Sequence, residues 1–471
     1  MNTDHLYDVI IVGAGPVGLA TAIALYQRGI TNILVIDQTQ EFRPVGQIVD
    51  LLPNGLKALR YIDEQTYQSV RQTDSSSSPT TNTQTNSATQ KGLWHHKNLQ
   101  GEIIRTAPLS FDDWLERYGA GRVSSNWYVI QTALRNQLPP HLITISRRCL
   151  EVNQQQDKVK ITYIPRGMAS NPFAHWEMEK PALTSPPTIS DVELPNPEIN
   201  HQYLYAKLVV AADGINSAIR QNLYCDTPLQ DWANPQYSGF TAIGCFKTSN
   251  VPESLDQALE NTYLQGERIV TLNLDYSQLQ QAPSPRIIVT RKPDKALGYL
   301  LHTPLTVGVL TDKLASEVIQ IAMAALTKAD FPAMLVELIS FSDPEKLLHR
   351  AYYLQPANIP LEEQLIWSQG RVVLAGDAAH GMPPFTAQGA NQGFEDAALL
   401  GTLITKIINN QGLDDLNQIA QAFKQYEQIR RPFMVKMQEV TLHSYHLSQS
   451  QWEDYNDWVY GRDIAQICQG L

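Results

Sequence analysis

The chain opens on a run of apolar, mostly β-branched residues, Val9 to Val12, that ends directly in glycines. A short continuous run of this kind reads as a parallel strand buried on both faces. The period then changes: Val17, Ala20, Thr21, Ala24 and Leu25 recur at helical spacing, and Gly29 supplies a stop before a second apolar run, Ile33 to Ile36. The pattern predicts a βαβ unit. Strand-like runs return at Val159 to Ile164 and Tyr203 to Ala211. From Tyr237 to about Leu310 the pieces GFTAIGCF, RIVTLNL and RIIVTR, separated by polar or Pro-containing turns, predict a mainly antiparallel sheet. Lys313 to Phe341 turns helical and Arg371 to Leu374 is another buried-strand run. Helix begins again near Gly393 and resumes from Leu416 to about Met437, with no internal repeat.

Two stretches break these periods. Residues 72–91 are Ser/Thr-rich and free of large apolar side chains, so they cannot offset their own ordering entropy. Residues 165–202 carry seven prolines between two strand-like runs and read as an insertion into a β-meander.

A length of 471 residues exceeds what one hydrophobic core supports and leaves room for a buried cofactor. Acidic residues number 47 against 36 Lys plus Arg, a net charge of -11 with no basic run, which argues against nucleic acid as a partner. Cys149, Cys225, Cys245 and Cys468 stand singly, without metal or disulfide spacing, as suits a reducing compartment. The start lacks a basic n-region, and no stretch reaches the roughly 18 apolar residues of a membrane span. A soluble, cytoplasmic protein is expected, with no metal site and with its oligomeric state open.

Gly13-Ala14-Gly15-Pro16-Val17-Gly18 fits G-x-G-x-x-G immediately after a strand and opening a helix. Gly13 permits the tight turn, Gly15 lets a pyrophosphate approach the backbone, and Gly18 lets the helix pack on the strand. The phosphates then meet free N–H groups at a helix start. Asp37 follows the second strand, where a carboxylate accepts from ribose hydroxyls and disfavours a 2′-phosphate. The alternative is a glycine-rich turn with no ligand. This motif alone does not separate NAD from FAD.

Two later segments do: LVVAADGINSAIR, Leu208 to Arg220, and RVVLAGDAAHGMPPFTAQGANQGFED, Arg371 to Asp396. With Glu41 to Gly46, Leu52-Pro53-Asn54-Gly55 and the tail Tyr426 to Pro432, they resemble the single-component, aromatic-hydroxylase-like flavoprotein monooxygenases. The resemblance implies that Gly376-Asp377 binds FAD, with Asp377 on the ribityl hydroxyls, and that Asp213-Gly214 serves FAD and pyridine nucleotide. It implies that Gly389, Ala390 and Asn391 bring helix-start N–H groups to the flavin's pyrimidine edge, and that Pro384, beside Pro383, stiffens the loop at the ring. Arg43 is expected at the cofactor's phosphates and Gln131 where many relatives carry a cofactor-contacting arginine. Asp377 also reads as an N-cap for Ala378-Ala379-His380, and Asp213 as a turn residue before glycine. His380 reads first as a packing or hydrogen-bonding residue. Ala387 stands where many members have glycine, and Gly381 replaces a common proline.

The expected fold class is α/β. A Rossmann-like FAD-binding domain with a parallel sheet (1–220 and 345–440) receives a mainly antiparallel substrate domain (221–344), and C-terminal helices (441–471) follow. The implied activity is hydroxylation or epoxidation of an apolar or aromatic small molecule by dioxygen, with NADH or NADPH as a transient reductant. Phe240, Ile243 and Tyr299 are candidate walls of the substrate site, or plain core. No catalytic acid or base is legible. Rival readings are a flavin-dependent reductase or dehydrogenase that does not oxygenate, and a non-enzymatic FAD-binding redox protein. A halogenase is disfavoured by the lack of a W-x-W-x-I-P segment.

Overall fold

The structure, a computed structural model, describes residues 5–74, 92–165, 201–274, 283–360, 365–444 and 447–471. The insertions expected at 72–91 and 165–202 fall almost wholly outside the described residues. The strands that flank the second one, Val159–Ile164 and Gln202–Ala211, pair antiparallel.

Among the described residues, the first sheet has eight strands around a parallel centre. Val372–Leu374, Gln202–Ala211, Leu6–Val12, Ile33–Ile36 and Ile143–Thr144 lie side by side in that order. Strands covered on both faces carry unbroken apolar runs, and Val9 to Val12 and Ile33 to Ile36 are buried throughout. The helix Pro16–Tyr26 is apolar nearly all round because it lies between this sheet and the long helix Gly389–Asn409. Gly401 permits that packing, since a Cβ there would come within 2.5 Å of the Ala24 Cβ.

The second sheet orders Leu348–Leu354, Gln236–Cys245, Leu297–Pro304, Arg286–Arg291, Ile269–Asn273, Leu93–Lys97 and Ile103–Pro108. It is antiparallel apart from the pairing of Ile269–Asn273 with Leu93–Lys97. The sheet is wider than residues 221–344, because 93–108 and 348–354 hydrogen-bond into its two edges. Both segments are short and mixed in polarity, so only strand pairing reveals their sheet. Side-chain alternation gives this sheet two different faces. One carries Ile243, Leu301, Ile287 and Leu272 beneath the helices Ala315–Lys328 and Ala333–Ser340. Tyr299 joins that core and bonds Ser342 through its hydroxyl. The opposite face carries Phe240, Ala242, Leu300 and Tyr352, packed against Phe385 from the Gly376–Gly389 loop. Of the three candidate walls, Phe240 is on the cleft side, while Ile243 and Tyr299 belong to the helix-backed core.

Among the described residues, no helix is long and apolar enough to cross a membrane.

Candidate active site

The three glycines of the first turn separate by what surrounds them. A Cβ on Gly13 would lie 2.2 Å from the Ala212 carbonyl oxygen, and one on Gly18 would lie 1.9 Å from the Gly13 carbonyl oxygen. Both are glycines because the chain itself occupies the space. A Cβ on Gly15 would meet nothing nearer than Trp127 at 4.0 Å, so nothing in the protein requires that residue to be glycine. Gly15 is also the N-cap of Pro16–Tyr26, with no side-chain cap and no acidic residue in the first turn. That leaves a helix start whose N–H groups and dipole favour an anion. Asp37 closes the turn: Oδ2 accepts from the Ala14 N–H and Oδ1 from the Thr39 N–H, both at 2.7 Å. Burial raises its pKa above the ordinary value while those two donors pull it down. Gln131 donates its side-chain N–H to the Ala14 carbonyl at 2.7 Å and so holds the turn. Arg43 is part-exposed, 3.6 Å from Glu41.

The distant motifs converge on the same place through Val17. Cβ atoms on Gly376 and Gly393 would lie 3.0 and 2.2 Å from Val17 Cγ2, so the loop, the long helix and the first helix meet only because both positions are glycine. Gly376, with φ at 58°, is the N-cap of the short helix Asp377–His380, and Asp377 is its first residue rather than its cap. The Asp377 side chain is exposed between buried neighbours, and Pro384 farther along the loop is exposed too. Asp377 nevertheless sits deep in the molecule: burial raises its pKa, and His380, Arg350 and Arg220 lower it in part. A Cβ on Gly389 would be 3.7 Å from Asp377 Oδ1, which brings the uncapped start of Gly389–Asn409 to the same point. The Asn391 side chain ties that helix start to neighbouring backbone. It accepts from the Leu52 N–H and donates to the carbonyls of Asp50 and Ala387. Asp213 has one oxygen bonded to the Ile219 N–H at 3.3 Å and the other buried without a partner.

Behind this loop lies a buried ionic network. His380 Nε2 is 2.6 Å from Asp396 Oδ2, which also accepts the Gly376 N–H at 2.9 Å. Arg430 donates to Asp396 and Glu395 at 2.7 and 2.6 Å, and Arg462 and Asn54 also reach Glu395. His380 and Arg430 hold the Asp396 carboxyl down at about 2 despite its burial. The network fixes the cleft loop from behind.

In front of the loop is the mixed face of the second sheet. Arg286 donates from Nε to His302 Nδ1 at 2.9 Å, so the His302 proton is on Nε2, 3.3 Å from the Tyr352 hydroxyl. The Arg286 guanidinium lies 4.1 Å from the centre of the Phe385 ring. Phe385 also contacts Phe240, His302 and Tyr352 at centroid distances of 5.3, 5.2 and 5.6 Å. Farther along this face, Arg105 donates to the Ser444 carbonyl and contacts His96 Nδ1 at 3.2 Å.

A family model described as an FAD binding domain matches residues 6–47 and 361–441, the two segments that meet at Val17. A 3-amino-4-hydroxybenzoate 2-monooxygenase of Streptomyces platensis is 24% identical, with 98% of this chain and 97% of the relative aligned. A 6-hydroxynicotinate 3-monooxygenase of Bordetella bronchiseptica is also 24% identical, over 97% and 95%. The chain is thus similar, over nearly its whole length, to aromatic-hydroxylase-like FAD-dependent monooxygenases. The fold is shared with a solved salicylate hydroxylase substrate complex, at TM-score 0.63 and 16% identity over 98% and 97% of the two chains. It is shared too with Klebsiella pneumoniae HpxO complexed with FAD and uric acid, at TM-score 0.60 and 17% identity over 100% and 97%.

For a monooxygenase of this type, the fit to FAD rests on the open space over Gly15, the two uncapped helix starts and the exposed Asp377 between buried neighbours. The residues that sequence reasoning missed are those of the sheet face: His96, Arg105, Arg286, His302 and Tyr352. A signal was present, since charged and imidazole side chains at alternate positions of apolar strands must point to a buried, polar place. The register that unites them was not readable.

Proposed function

We propose that this flavoprotein is an NAD(P)H-dependent hydroxylase that transfers one atom of dioxygen to a small aromatic molecule seated beside the Phe385 ring, where the Gly376–Gly389 loop meets the mixed face of the second sheet. The observation that carries the reading is the pairing of a cleft floor shaped by Gly15 and Asp377 with a facing wall of Phe240, Phe385 and Tyr352. When bound, FAD supplies electron transfer from the nicotinamide and activation of oxygen. The chain binds and orients it. In this reading Gly13 to Gly18 cradle the pyrophosphate, Asp37 accepts from the ribose, and Arg43 approaches the phosphates. Gln131 acts through the Ala14 carbonyl as a positioning residue. Asp377 accepts from the ribityl hydroxyls, Asp213 borders the cofactor, and Pro384 stiffens the loop at the ring.

The N–H groups at the start of Gly389–Asn409 favour negative charge on the pyrimidine edge, and Asn391 holds that start against Asp50 and Leu52. The aromatic wall excludes water, so reducing power is used on substrate rather than lost. Residues 1–220 and 345–440 would serve the cofactor and 221–344 the substrate, with 93–108 completing the substrate wall. The named activities of the relatives, on an aminohydroxybenzoate and a hydroxynicotinate, support a ring substrate.

The test is anaerobic reduction of the bound flavin by NADH and by NADPH, with and without aromatic ligands, followed by ¹⁸O₂. Ligand-accelerated reduction and one ¹⁸O in an organic product are expected. Reduction that yields only hydrogen peroxide with every ligand would leave a reductase, and failure of both nicotinamides would leave a non-enzymatic redox protein.

A further inference from the structure

The space over Gly15 is bordered by one side chain among the described residues: a Cβ there would meet Cζ2 of Trp127 at 4.0 Å. The same side chain is rooted elsewhere. A Cβ on Gly46, where φ is 100°, would lie 2.8 Å from Trp127 Cβ and 3.3 Å from its Cγ. The indole therefore starts against the Gly46 loop and ends over the glycine turn. Cζ2 and the ring nitrogen Nε1 are bonded to the same carbon, so the edge turned to Gly15 is the one that carries the indole N–H donor.

Trp127 is held in this pose by its own helix. It is the first residue of Trp127–Arg135, and its backbone N–H donates to the Gln47 carbonyl at 2.9 Å. Gln131 and Arg135 follow at helical spacing on the same face. Gln131 donates to the Ala14 carbonyl at 2.7 Å, and the Arg135 guanidinium lies 4.1 Å from the centre of the Phe42 ring. One stripe of the helix thus ties the glycine turn to the loop that carries Phe42, Gly46 and Gln47. Packing against Gly46 uses only the root of the Trp127 side chain. Its far edge reaches into the open space over Gly15 and leaves the residue part-exposed. An indole there offers an apolar body and one N–H, which suits a bulky partner that carries an acceptor.

We propose that Trp127 is a cofactor-binding residue whose indole closes the channel over Gly15 and turns its Nε1–H edge to the pyrophosphate of FAD. The proposal rests on the placement of FAD in the preceding reading and adds to it a residue outside the glycine motif. Hydrogen bonds to an ionised acceptor are stronger than neutral ones, and the rooted side chain loses little freedom in making one.

Release of FAD from the full-length holoenzyme on dilution, followed by flavin fluorescence, tests this without turnover. Trp127→Phe keeps Cβ and Cγ against Gly46 and lacks the N–H edge. It is expected to weaken FAD binding by about 10-fold or more, with circular dichroism and urea midpoint close to wild type. A second readout uses the full chain freed of flavin and labelled with 6-fluorotryptophan. The Trp127 signal, one of eight, is identified by its absence from Trp127→Phe. It is expected to shift in the ¹⁹F spectrum on addition of ADP and to stay in place with adenosine. Unchanged FAD retention in Trp127→Phe overturns the proposal, and so does a signal that ignores ADP or moves equally with adenosine. Should Trp127→Phe fail to fold, Trp127→Tyr identifies the signal and the ADP shift decides alone. A wild-type chain that binds neither FAD nor ADP would remove the phosphates from this turn, and the proposal with them. Peroxide without an oxygenated product would sink the hydroxylase and leave Trp127 in its role.

Discussion

Arg430 and Arg105 are both buried beside a histidine, yet the two clusters are built on opposite principles. Behind the cofactor loop, Arg430 lies among Glu395, Asp396 and His380, and each charge has an opposite. On the sheet face, Arg105 lies beside the neutral ring of His96, and among the described residues no carboxylate bonds to it. The first arrangement is complete without a ligand and serves to hold the loop still. The second holds Arg105 by a carbonyl, a neutral ring and a stacked indole. A buried charge is therefore evidence of function only after its partners are counted.

The sharpest way to separate holding from binding lies at the glycine turn. Gly15→Val is expected to abolish bound FAD while the chain still folds, because the new side chain enters space that only Trp127 borders. Gly18→Val is expected to cost more than about 3 kcal/mol, since its Cβ collides with backbone. Flavin absorbance per folded protein, with circular dichroism as the folding check, distinguishes them. Full flavin retention in Gly15→Val would remove the pyrophosphate from this turn.

The next largest effect is on the paired cluster. Arg430→Met should destabilise the protein by about 3–5 kcal/mol, because it removes the guanidinium that two buried carboxylates share. Arg105→Met in the ligand-free protein should change stability by no more than about 1 kcal/mol, the Ser444 hydrogen bond being lost as an unfavourable charge is removed. Urea midpoints of both variants test the contrast. Similar losses would mean that Arg105 has a counter-charge of its own.

The same contrast fixes two pH windows. The Asp396 pKa is depressed to about 2, so its contribution to stability is complete above the ordinary aspartate value of 3.8 and is lost as pH falls from there toward 2. His96 and His302 are depressed below 6.5, so the unfolded chain takes up protons that the native state refuses, and stability falls as pH drops below 6.5. Melting temperature should therefore start to decline below 6.5 in the wild type and decline less in His302→Gln. An unchanged slope in that variant would mean that the ring is not held neutral by its surroundings.

These differences also explain what the sequence could disclose. The glycine turn and Asp37 were legible because their constraint is local, a strand, a turn and a helix start within a few residues, whereas the Gly376-Asp377 pair was singled out only through the family resemblance. The network and the sheet face were not, because their meaning arises from pairing across the chain. Asn54 reaches Glu395, Arg105 sits opposite His96, and Arg286 is brought beside His302 by a strand register that no local pattern encodes. Asn391 shows the limit from the other side. Its motif position was readable, while the use of its side chain, on Asp50, Leu52 and Ala387, followed only from packing.

The smallest predicted effect tests how far the loop between the two clusters is strained. Ala387 sits at φ 54°, in the left-handed region, immediately before the uncapped start of Gly389–Asn409. A Cβ in that conformation costs about 1–2 kcal/mol, against which glycine brings about 0.5–1 kcal/mol of extra unfolded-state entropy. Ala387→Gly should therefore stabilise the protein by no more than about 1 kcal/mol, read as a small rise in urea midpoint. The Ala387 carbonyl accepts from Asn391, so the substitution leaves that anchor in place, and FAD affinity should stay within about 3-fold of wild type. A large fall in affinity with unchanged stability would show that the alanine methyl itself, and not the backbone it strains, shapes the floor of the cleft.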